Sequence, residues 1–131
     1  MSKVVIITPE GKIEEREIEM TLKNLNEILG GHIETVPGFY IPQLRCQNIL
    51  LLVNETGKID NLKPTIAVID ETLKLVYFLV GNVVCIGLNP AEDDFTGLTD
   101  AQVEVIKENI LPLVGHEIPF IAIPANREVL Q

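Results

Sequence analysis

The chain has 131 residues and a mass of 14.5 kDa, enough for one domain and too few for two with cores of their own. Its 17 Ile, 16 Leu and 13 Val exclude intrinsic disorder, and its longest apolar runs, 49–53 and 75–80, fall far short of the roughly 20 residues of a bilayer span. Nineteen acidic residues against ten basic ones give a formal charge of −9, a field that repels phosphate backbones and argues against ordinary DNA or RNA binding.

Residues 3–7 are β-branched and apolar, Thr8-Pro9-Glu10-Gly11 has turn chemistry, and 12–19 resumes an extended pattern, so the chain opens with a hairpin. In its second arm Glu14 and Arg16 share a face with Ile18, and Glu15 and Glu17 share one with Ile13. Charges on both faces mark an edge strand. Leu22, Leu25, Ile28 and Leu29 then recur at helical spacing behind the N-cap Thr21, and Gly30-Gly31 ends the helix. Residues 32–36 read as a strand stopped by Pro37-Gly38, and 37–43 as a loop holding Phe39 and Tyr40 between prolines.

The nearly continuous apolar run 46–53 predicts a central buried strand. Asn54-Glu55-Thr56-Gly57 turns the chain into a short strand near 58–60. Between 64 and 79 two periodicities compete; the spacing of Ile66, Ile69, Leu73 and Val76 favours a helix over about 65–75. A strand over 79–88 follows, broken by Gly81-Asn82. After the acidic connection 89–97, Thr99 and Gln102 form a Thr-x-x-Gln capping box. The helix it opens carries Val103, Ile106, Ile110 and Leu111 on one side and should stop near Leu111, before Pro112. The apolar tail 112–131 contains Pro119 and Pro124, which argue against a central strand; it is expected to pack across its own domain or onto a neighbouring subunit. The sum is one α+β domain over 1–131, a mainly antiparallel sheet with two or three helices.

Chemistry-bearing patterns are few. There is one serine, Ser2, no Gly-x-Ser-x-Gly elbow, and no His/Cys/Asp spacing of a zinc site, so no catalytic residue, metal or cofactor is expected. His32 and His116 stand beside glycines, where solvated histidines are common, and Asp93-Asp94 lacks the pattern of a calcium loop. Cys46 and Cys85 sit in apolar contexts and read as free, buried thiols. Binding a small anion asks for less: a few cations, amide or hydroxyl donors and a stacking aromatic. Of the basic residues placed on loops, Arg45, Lys58, Lys63 and Arg127, Arg45 follows the Phe39-Tyr40 loop, and Lys58 stands beside Asn54 and Thr56. Phe39, Tyr40, Arg45, Asn54, Thr56 and Lys58 are therefore the candidate ligand-binding residues. The plainer alternative makes the aromatics a hydrophobic lid and the cations solvated surface. The aliphatic share and apolar tail also favour a homo-oligomer, and the lack of a secretory h-region or cleavage site at the N-terminus places the chain in a cytoplasm.

Several stretches taken in order carry a resemblance: 3–18, the Leu-Gly-Gly-x-Ile-Glu junction at 29–34, the Val-Asn-Glu-x-Gly-Lys turn at 53–58, the strand 80–87 and Leu98-Thr99-Asp100-Ala101-Gln102. They resemble a small family known as domain of unknown function 3846, over about residues 3–111, with the loop 37–48 and the tail 112–131 as additions. The resemblance implies a phage or mobile-element origin in Gram-positive bacteria, hence the cytoplasm of a bacterial host. By analogy with compact phage oligomers, it implies a non-enzymatic anti-defence protein that sequesters a nucleotide-type immune signal. An acidic inhibitor docking on a basic defence enzyme is the alternative, and an uncharacterised mobile-element module a third.

Overall fold

The computed structural model describes residues 1–36, 41–70, 74–112 and 119–123. Strands β1 (Ser2–Ile7) and β2 (Ile13–Ile18) form the opening hairpin, with Gly11 supplying a positive φ in the turn. Helix α1 (Leu22–Leu29) follows; the Thr21 hydroxyl accepts from Asn24 N at 3.1 Å, and Gly30 closes it in the left-handed conformation. Next come β3 (Ile33–Thr35), a single helical turn α2 (Pro42–Arg45) and β4 (Ile49–Asn54). The strands β5 (Pro64–Ile69), β6 (Leu75–Val80), β7 (Val83–Asn89) and β8 (Asp94–Thr96) lead to helix α3 (Asp100–Asn109), and β9 (Ile110–Pro112) and β10 (Pro119–Ala122) complete the order.

The large sheet has the order β2-β1-β7-β4-β3, with β8 pairing the end of β7; the small sheet has the order β6-β5-β10-β9. Among the described residues every pairing is antiparallel except β5 with β10. The fold is thus α+β and mainly antiparallel, with β2 at an edge.

Strand alternation divides the large sheet's side chains between two cores. Val4, Ile6, Leu52, Val84 and Ile86 face α1 and pack on Leu25 and Leu29. Val5, Ile7, Ile49, Leu51, Val83 and Cys85 face the other way, onto Ile66, Val68 and Ile121 of the small sheet and Val103 and Ile106 of α3. The capping box of α3 is complete, and Gln102 also donates to Gln47 O and Asn48 O, tying the helix to the entry of β4.

Several expectations are corrected. Of the segment expected as a helix over 65–75, the residues up to Ile69 are strand β5, whose five residues after Pro64 are all buried, and Leu75 opens β6; 71–73 lie outside the described residues. Burial on both faces gives a continuous apolar run, within which helical spacing arises by coincidence. The strand expected over 79–88 is two strands in different sheets, turned at Gly81 (φ 71°), where the Thr65 hydroxyl donates to Gly81 O. No strand exists at 58–60, which belongs to a turn; of the loop expected over 37–43, residues 37–40 lie outside the described residues, and from Pro42 the chain forms α2 with that proline in its first turn.

The tail holds the largest surprise, because β10 is an inner strand between β5 and β9. Pro119 is tolerated there as the first residue of the strand, opposite Pro112, so the ladder beyond it keeps its donors. Residues 119–123 therefore complete this chain's own sheet; the rest of the tail beyond Pro112, including Pro124, lies outside the described residues. Cys46 is exposed rather than buried, while Cys85 is buried, and both are free.

Candidate functional site

The two sheets approach each other where β6, the terminal strand of the small sheet, passes β4. There they leave a cleft of about 360 Å³, in the lower part of the size range of small-molecule sites. One wall is Glu34 of β3 and Val36 just after it, with Val53 and Asn54 of β4; the other is Tyr77, Phe78, Leu79 and Val80 of β6. Glu55, Lys58 and Ile59, from the turn after β4, complete it. Val36 and Leu79 are buried, while Glu34, Glu55 and Lys58 are exposed and Ile59 is 81% exposed. The cleft combines an apolar floor with one ammonium group and two carboxylates.

The turn that carries Lys58 is built around Asn54. Its Oδ1 accepts from Thr56 N at 2.9 Å, and its Nδ2 donates to Leu29 O, a carbonyl at the end of α1, at 3.3 Å. The Thr56 hydroxyl donates to Asp60 Oδ2 at 2.8 Å, closing the turn on itself. Two glycines let the parts approach. A Cβ on Gly31 would come within 2.8 Å of Asn54 Nδ2, and one on Gly57 within 3.0 Å of Val80 on β6. Glu55 N donates to His32 O at 2.8 Å as well. The Leu-Gly-Gly-x-Ile-Glu junction and the Val-Asn-Glu-x-Gly-Lys turn are therefore bonded to each other, and both supply residues to the cleft.

Of the candidate residues, Asn54 and Lys58 line this cleft and Thr56 shapes the turn between them. Arg45 is not brought to it. That exposed side chain borders a separate crevice with Ile41, Leu44 and Ile49, about 10 Å³ in volume, room for one water at most. Phe39, Tyr40, His116 and Arg127 lie outside the described residues. The carboxylates of Glu34 and Glu55 and the whole of the β6 wall escaped sequence reasoning, because nothing local links residue 34 to residue 77. Only the sheet order, which makes β6 a terminal strand, brings 75–80 beside this turn.

Three ion pairs lie elsewhere on the surface. Lys3 Nζ lies 2.5 Å from Asp100 Oδ1, Lys107 Nζ 3.2 Å from Glu15 Oε2, and an Arg16 guanidinium nitrogen 2.8 Å from Glu14 Oε2. The hydrogen bond to Asp100 raises the Lys3 ammonium above its ordinary value and holds the Asp100 carboxyl below its own. Burial alone pushes the Cys85 thiol far up, which leaves it inert. Among the described residues no three His, Cys, Asp or Glu side chains come together as a metal site, and no helix is long and apolar enough to cross a membrane.

No curated protein and no solved structure matches the chain. A family model does, over residues 1–111, a span that contains every residue of the cleft and both of its interlocked motifs. By that match the chain belongs to the family described as domain of unknown function DUF3846.

Proposed function

We propose that the chain is a non-catalytic capture protein whose cleft between β4 and β6 holds a small nucleotide-type ligand and returns it chemically unchanged. The observation that carries this reading is the convergence of Lys58, Asn54 and two exposed carboxylates on an apolar floor in a cleft of single-ligand size. An ammonium group suits a phosphate, carboxylates accept from ribose hydroxyls, and the floor suits a ring. The resemblance to a mobile-element family adds the expected role: a sink that lowers a host defence signal, in the cytoplasm of a bacterial host. A homo-oligomer belongs to the same proposal, since one row across the small sheet, Leu111, Phe120, Ala67 and Phe78, is apolar on the face turned from the large sheet.

The rival, an acidic face docking on a basic enzyme, loses part of its surface to the chain's own cations: Glu15 and Glu14 already face Lys107 and Arg16. Native mass spectrometry of protein from its own host background, followed by heat release, tests the capture reading. We expect a stoichiometric, intact nucleotide in the released fraction, lost in Lys58→Glu with the circular dichroism unchanged. A chemically altered nucleotide would make the chain an enzyme, and full occupancy in Lys58→Glu would place the ligand elsewhere.

A further inference from the structure

Successive side chains of a strand point to opposite faces, yet four consecutive residues of β6, Tyr77 to Val80, line the cleft. It therefore runs along the strand's edge as well as over one face. Tyr77 packs against the core shared by the two sheets and Leu79 lies within it, so both present their inner face. Gly81 N donates to Lys63 O on the β5 side, and by alternation the backbone groups of Phe78 and Val80 point away from β5, on the side where the cleft lies. β6 is a terminal strand, and a strand edge offers N–H and C=O groups side by side. A flat ring whose rim carries both a donor and an acceptor is complementary to that edge.

The charges then set a limit. Glu34, Glu55 and Lys58 are the groups charged at neutral pH that line the cleft among the described residues, and together they sum to one negative charge. A ligand with one phosphate places it at Lys58 and keeps its hydroxyls on the carboxylates. Each further phosphate meets a carboxylate at short range with no second cation to receive it. Resting on the capture reading above, we propose that this cleft selects a nucleoside bearing a single phosphate. Its base pairs along the β6 edge at Phe78 and Val80, its ribose hydroxyls donate to Glu34 or Glu55, and its phosphate meets Lys58.

Calorimetric titration of the full chain with the four nucleosides and their mono- and triphosphates, in buffer with a chelator and no divalent cation, tests this. The preferred base is expected to bind as its monophosphate roughly tenfold or more tighter than as nucleoside or triphosphate. In Glu34→Gln with Glu55→Gln, the gap between mono- and triphosphate is expected to close, with unchanged circular dichroism showing that the variant folds. A triphosphate bound as tightly as the monophosphate by the unmodified chain overturns the charge selection and leaves capture standing. An unchanged gap in the double variant also overturns it. Binding of no nucleotide in any form overturns both readings.

Discussion

On one face of the large sheet a single amphipathic helix, α1, lies over Val4, Ile6, Leu52, Val84 and Ile86; on the other, a second sheet and α3 share the cover. The helix is docked by its own end: Gly30 and Gly31 bring Leu29 O within reach of Asn54, and Asn82 Nδ2 donates to Ile28 O at 2.8 Å. The small sheet meets its partner less completely. α3 lies toward β2, where Lys107 reaches Glu15, while at the opposite side β6 and β3, both terminal strands, stand apart with the cleft between them. Two twisted sheets close on each other only over part of their width, so a gap at the edge is the natural place for a binding site. Asn54 stands at the boundary, bonded to α1 and lining the cleft.

Substitutions on either side of the large sheet test how firmly each cover is seated. Leu52 is fully buried in the α1-side core, and Leu52→Ala is expected to cost about 3 kcal/mol of unfolding free energy, measured by urea denaturation; a cost below about 1 kcal/mol would mean that α1 is not firmly docked. Asn54→Ala comes next. It leaves Leu29 O and Thr56 N without their side-chain partner, an expected loss of about 2 kcal/mol. Nucleotide binding should fall with it, because the turn bearing Lys58 loses its anchor, whereas destabilisation with undiminished binding would separate the turn from the site. The smallest effect is a labelling experiment on the cleft-side core. Exposed Cys46 should react with a thiol reagent in the native protein, and Cys85, fully buried in that core, only after denaturation. Native labelling of Cys85 would show that the core behind the cleft opens as well.

Local chemistry made much of this molecule legible in the sequence. The hairpin, the cap at Thr21, the left-handed Gly30 and the capping box at Thr99 each depend on residues within a few positions of one another, and so does the turn on Asn54. Charges on both faces of 13–18 correctly placed β2 at an edge. The errors lie where burial overrode pattern. Ile66, Ala67 and Val68 are all buried although successive side chains of β5 point to opposite faces, so their apolarity reports two environments rather than one periodic face.

The turn side of the cleft was legible for the same reason. Asn54, Thr56 and Lys58 belong to one turn, and a turn declares itself through its residue types. Arg45 was grouped with them by proximity along the chain, but β4 separates α2 from the turn by its full length. Family membership over 1–111, the α+β class and the Asn54 turn follow from the sequence alone, because motifs and capping act over short distances. The two-sheet packing, the inner position of β10 and the meeting of Glu34, Lys58 and β6 were decided only by the tertiary structure, since pairing between distant strands depends on which surfaces remain to be buried once local elements have formed.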